Sequence, residues 1–143
     1  MVLVDYDRHY LRAQPDGLER GIASSIASLT AAGKKVLLVE PFPTHGYPDP
    51  AALAALHRRG VPIETFGQTR ETYARQQDAA GAMLRRLQEQ NGRITLIATS
   101  SALCPHDLCE VAAAHRPLYL DDNHLSLVGA RALMSRSTAL RPH

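Results

Sequence analysis

Short uninterrupted apolar runs alternate along the chain with stretches in which apolar positions recur every three or four residues. Val36-Leu37-Leu38-Val39 is the clearest run, and continuous apolarity of that length suits a central strand covered on both faces. Met1 to Val4 reads as another short buried strand, and Ile94 to Ala98, with β-branched Ile94, Thr95 and Ile97, as a third. Between them, Leu18, Ile22, Ile26 and Leu29 follow the turn residues Pro15-Asp16-Gly17 at helical spacing, with Gly33 placed to stop the helix. Asp49 and Pro50 read as the N-cap and first residue of a helix ending at Gly60, after Arg58-Arg59. A long polar helix is predicted from Arg70 to Gln90, with Tyr73, Ala80, Met83, Leu84 and Leu87 facing inward and Asn91-Gly92 ending it.

The last third is less periodic. Thr99 to Asp107 reads as a loop, Leu108 to Ala114 as one or two helical turns, and Leu118-Tyr119-Leu120 as a short strand. A closing helix capped by Ser126 runs through Leu133. Strands alternating with helices predict a parallel sheet with helices on both faces, a three-layer α/β/α sandwich. No internal repeat or domain boundary interrupts the pattern, so residues 1–143 are expected to form a single domain.

Composition narrows the class without naming a chemistry. At 143 residues the chain suits one domain, able to bury roughly 68–70% of its unfolded surface. Apolar residues at 45% and charged residues at 21% describe a globular protein. Sixteen Lys and Arg against fourteen Asp and Glu leave a formal charge of +2, and their scatter argues against a nucleic-acid partner, which needs clustered cations. No apolar run is long enough to cross a bilayer. Asp5, Asp7 and Arg8 break the opening run, so no signal peptide is expected. Cys104 and Cys109, with four residues between them, are open to a disulfide, a metal or free thiols.

Reactive groups in parallel α/β folds gather beyond the carboxyl ends of the strands. The segment Leu118 to Ser126 suits that place, with Asp121-Asp122-Asn123-His124 as its polar loop. An Asp three residues before a His can fold back to accept the imidazole Nδ1–H. That bond fixes the tautomer and gives Nε2 the role of taking a proton from a hydroxyl. Taken alone, Asp-x-x-His is a weak signal, because Asp and Asn favour turns for purely local hydrogen bonding. Gly129 would permit close backbone packing one turn into the following helix.

The stretch Cys104-Pro105-His106-Asp107-Leu108-Cys109, the run Arg116 through Ser126 and the pair Gly129-Ala130 together resemble the end of SGNH/GDSL-type domains. The likeness is nearest to those attached to membrane O-acyltransferases of the acyltransferase 3 family, which acetylate bacterial cell-surface polysaccharides such as lipopolysaccharide and peptidoglycan. Ala32 through Pro43 is similar to that family's central strand and Pro-x-Pro loop, and Val2-Leu3-Val4 with Tyr6 to Tyr10 occupies the place of the preceding strand. The resemblance implies an SGNH-like, flavodoxin-like sheet with its first strand missing. It makes His124 the general base and Asp121 its orienting partner, with Asp122 as the rival for that second role. It also implies a Cys104–Cys109 disulfide, worth about 2 kcal/mol for so short a ring; the rival is a zinc site of Cys104, His106, Cys109 and His115. No cofactor is implied. The implied partners are an acyl donor, a polysaccharide acceptor and the membrane acyltransferase domain, on the periplasmic side of the inner membrane.

An SGNH enzyme needs a serine in a Gly-Asp-Ser block, and none occurs here; nor does a Gly-x-Ser-x-Gly elbow. The resemblance therefore reads the chain as the C-terminal part of an O-acyltransferase or esterase domain, inactive alone. The alternative is a non-catalytic α/β binding domain that has lost its nucleophile. No Asn stands in the Val2–Tyr10 region where an oxyanion residue is expected; Asp5 lies there instead. Ser100 and Ser101 follow a strand but lack a glycine-rich turn, and Ser126 reads as a cap. His45 reads as a solvated loop residue, and Arg58-Arg59 and Arg85-Arg86 as solvated helix faces. A missing strand would leave a sheet edge open to pairing between copies.

Overall fold

The computed structural model describes residues 14–44, 50–122 and 124–137. The predicted strand at Met1–Val4, the Asp5 neighbourhood, His45, the cap Asp49 and the tail beyond Ser137 lie outside the described residues. The elements are α1 (Pro15–Ala31), β1 (Val36–Val39), α2 (Pro50–Arg58), a 3-10 turn (Ile63–Phe66), α3 (Arg70–Gln90), β2 (Ile94–Ile97), α4 (Thr99–Leu103), β3 (Ala112–Ala113), β4 (Arg116–Pro117) and α5 (Leu127–Arg136). They fall into two compact units: residues 1–41 with 77–97, and residues 42–76 with 98–143.

In the first unit β1 and β2 pair in parallel, from Val36 opposite Ile94 to Val39 opposite Ile97. Successive strand residues point to opposite faces. Val36, Leu38 and Ile94 share one cluster with Ile26 of α1 and with Ala80, Met83, Leu84 and Leu87 of α3, and Leu18, Ile22, Leu29 and Leu96 pack against it. The predicted inward residues of α3 are all buried, Tyr73 included. Gly33 ends α1 as expected. Its φ is 71°, its N–H donates to Thr30 O at 3.0 Å and Lys34 N–H to Leu29 O at 2.9 Å, the Schellman pattern that left-handed glycine permits. Gly60, with φ 77°, closes α2 in the same way through Gly60 N–H to His57 O and Val61 N–H to Leu56 O.

The second unit is built from short elements, and here three expectations are corrected. Thr99–Leu103 is helical, not a loop, and Thr99 is buried with its hydroxyl 2.8 Å from the Tyr73 hydroxyl. Leu108–Ala114 is not helical. Cys109 N–H donates to Gln68 O and Glu110 N–H to Leu103 O, so the backbone groups a helix would use are spent on distant partners. Ala112–Ala113 instead pairs antiparallel with Arg116–Pro117. Leu118–Leu120 forms no further parallel strand either: Leu118 N–H donates to Val111 O, Leu120 N–H to His124 O, and Tyr119 makes an isolated antiparallel bridge with Leu125. The fold is α/β with a parallel pair, and α5 extends to Arg136, beyond the predicted Leu133.

Candidate active site

The loop between Leu118 and Ser126 is closed by backbone bonds before any side chain acts. Leu120 N–H donates to His124 O at 2.7 Å and Ser126 N–H to Leu118 O at 2.9 Å. At the tip, Asp121 Oδ1 accepts the backbone N–H of His124 at 2.7 Å, the local bond that makes Asp a turn residue. The same carboxylate reaches the ring: His124 Nδ1 lies 2.8 Å from Oδ2 and 3.0 Å from Oδ1. Asp121, and not its neighbour Asp122, therefore contacts the imidazole, and the contact calls for the tautomer with Nδ1 protonated.

The side chains of His124 and Asp121 are 59% and 40% exposed. The pair is thus reachable by a substrate and is not sealed in hydrocarbon. So exposed a pair adds little to stability, of the order of 1 kcal/mol or less. What it supplies is ring orientation.

Two features hold the loop's far end. Ser126 Oγ accepts from Gly129 N–H at 3.1 Å and donates to Pro117 O at 2.8 Å. It is the α5 cap, with both its donor and an acceptor position engaged. A Cβ added at Gly129 would collide with the Leu118 carbonyl oxygen, so only glycine lets the first turn of α5 approach the strand-like segment this closely.

Cys104 and Cys109 form a disulfide, which packs with buried Tyr73. With both sulfurs bonded to each other, the alternative zinc set loses its thiolates. Of that set's other members, His115 instead meets His57, with ring centroids 5.2 Å apart. Gly67 passes so close to the Cys109 carbonyl that a side chain there would clash with it.

Arg136 carries a role the sequence did not announce. Its Nη1 donates to Ala102 O at 3.0 Å and to Glu110 Oε2 at 2.6 Å. It thereby ties the last turn of α5 to the end of α4 and to the residue after the disulfide. A basic residue in a last helical turn is ordinary, and nothing in the pattern names partners so far away in sequence.

Ser101 Oγ donates to Ala98 O, a local helix-start bond, and Ser100 and Ser101 stand in α4 without a strained turn. A cavity of about 380 Å³ in the same unit is lined by Glu64, His106, Asp107, Leu108, Glu110 and Ala112 and includes neither Asp121 nor His124. Among the described residues no helix is long and apolar enough to cross a membrane.

The fold and the loop thus define an α/β protein with an open carboxylate–imidazole pair at the base of its last helix. The chain belongs to the SGNH family: the family model for the SGNH domain fused to AT3 domains matches residues 3–137. The comparisons with curated proteins and with solved structures found no match.

Proposed function

We propose that this chain carries the base and its orienting carboxylate of an SGNH-type acyl-transfer domain that moves acetyl groups onto, or off, cell-surface polysaccharide on the extracytoplasmic side of the membrane. The Asp121–His124 contact carries the reading, together with the family membership. Asp121 holds Nδ1–H, and Nε2 takes the proton of a serine hydroxyl as that oxygen attacks the acyl carbonyl. The proton passes to the leaving oxygen or sulfur of the donor as the acyl-enzyme forms. A glycan hydroxyl then attacks the acyl-serine, giving its proton to Nε2, which returns it to the serine oxygen.

The serine is not in a Gly-Asp-Ser block of these 143 residues, and in this reading the polypeptide stretch bearing it lies outside them. The isolated chain then has no esterase activity of its own. The test is acetyl transfer and acetyl-ester hydrolysis by the natural polypeptide that contains these residues, beside its His124→Ala and Asp121→Asn variants. Undiminished turnover in His124→Ala overturns the base assignment.

The absence of that serine block also favours a second reading, a non-catalytic α/β binding or interaction domain that has lost its nucleophile. That reading holds if His124→Ala changes neither turnover nor binding.

A further inference from the structure

The His57–His115 contact has no part in the chemistry above. His57 lies in the last turn of α2 and is followed by Arg58 and Arg59; His115 lies at the tip of the β3–β4 hairpin and is followed by Arg116. All five residues are exposed. Residues 50–62 and 111–118 contain no Asp or Glu. Among the described residues none of the three guanidiniums makes an ion pair. One tertiary contact therefore joins two imidazoles whose chain neighbours are three arginines without an ion pair, in a chain whose whole formal charge is +2.

Ordinary structural needs do not account for the set. Cations at a helix C-terminus answer the macrodipole, which covers His57 and Arg58 but not Arg59, His115 or Arg116. The hairpin turn is stranger still. Ala114 and His115 have φ of 48° and 59°, the left-handed pair that a two-residue hairpin requires and that Asn-Gly adopts at least cost. A side chain with a Cβ is strained there, although histidine is among the residues that adopt it more often than most.

The patch is also tethered to the candidate site. Pro117, next to Arg116, accepts the hydroxyl of Ser126, two residues beyond His124. Chain reach alone keeps the Arg116 and His124 backbones within roughly 20 Å of each other.

We infer that this cationic patch binds an acidic glycan, a saccharide chain bearing carboxylate or phosphate groups, as the acceptor for the Asp121–His124 loop; the acceptor role rests on the acyl-transfer reading. Guanidiniums match carboxylate and phosphate, and imidazoles hydrogen-bond to sugar hydroxyls. A membrane surface fits less well. Among the described residues the exposed large apolar side chains are Leu120, Leu127 and Met134, none of them in the patch, whereas interfacial binding needs such groups to insert.

The experiment is calorimetric titration of the folded chain with oligogalacturonate, with a neutral malto-oligosaccharide of equal length, and with vesicles of phosphatidylcholine and phosphatidylglycerol. Oligogalacturonate is expected to bind, more weakly as salt rises, and the neutral sugar not to bind. The variant Arg58→Ala/Arg59→Ala/Arg116→Ala, with its melting temperature checked, is expected to lose at least about tenfold in affinity. Arg93→Ala, at an exposed arginine of the other unit, is expected to leave affinity unchanged. Equal affinity in the triple variant, failure of the parent to bind oligogalacturonate, or binding to vesicles alone overturns the proposal. Because binding is read without turnover, its loss is separable from failure of the acyl-transfer reading, which shows only in the His124→Ala activity assay.

Discussion

The two units of this chain are stabilised in different ways. In residues 1–41 with 77–97, two parallel strands and two helices share one apolar cluster, with a surface Arg86–Glu19 pair besides the bonds of helix and sheet. In residues 42–76 with 98–143, elements of two to ten residues predominate. They bury apolar side chains as well, Leu53, Leu103, Val111, Leu118 and Tyr119 among them, but are held in addition by particular bonds: a disulfide, a capping serine, an arginine shared by two acceptors, and two glycines that admit a carbonyl. Apolar clusters tolerate substitution as long as volume is kept, whereas bonds of this second kind fail one residue at a time. The candidate chemistry lies in the unit richer in specific bonds, where hydrogen bonds close the loop and the ring is open to solvent.

The sharpest challenge to that contrast is the pair itself. Replacing His124 by Ala in the natural polypeptide is expected to lower acetyl turnover at least about a thousandfold while leaving the melting temperature nearly unchanged, because the side chain is exposed. A large loss of stability with little loss of turnover would reverse the roles of the two units. Next comes Leu84→Ala, at a position of 0% exposure, which is expected to cost 2–5 kcal/mol by urea unfolding. The imidazole resonances of His124 should not move. A cost below about 1 kcal/mol would show that the first cluster is not packed as described.

Reducing the Cys104–Cys109 bond is expected to cost about 2 kcal/mol, and hydrogen exchange locates the effect. Amides near residues 104–112 should lose protection first, while those of β1 and β2 keep theirs. Equal loss in both units would merge them into one cooperative block.

The smallest effect is expected at Glu19. A hydrogen bond from the Arg86 guanidinium at 2.7 Å holds the Glu19 carboxyl below its ordinary value against an opposing desolvation, with the guanidinium charge adding a lesser push downward. The stability this contributes is present above the unfolded carboxylate value and is lost as pH falls through the lower folded one. Glu19→Gln should therefore lower the melting temperature slightly at neutral pH and flatten its acid dependence, the difference from the parent vanishing below about pH 4. An unaltered acid profile would mean that the bridge is not populated in solution.

For Asp121, turn residue and orienting carboxylate are one arrangement. The carboxylate that closes the turn through the His124 backbone N–H is the one on the imidazole. A pattern reading sets these as competitors because each explains the Asp alone; three-dimensional geometry joins them, since one carboxylate reaches both the backbone N–H and the ring nitrogen of His124.

Wherever burial follows a helical or strand period, the chain's pattern was enough by itself. It defined β1, β2 and the whole of α3 with its inward residues, the glycine stops at Gly33 and Gly60, and the cap at Ser126, because these depend on neighbours within a few positions. The break in helix at Leu108–Ala114, the helical turn at Thr99–Leu103, the shared arginine at Arg136 and the meeting of His57 with His115 were decided only by tertiary structure. Each involves a partner outside its own element, and no local preference encodes which backbone donor a distant carbonyl will reach first.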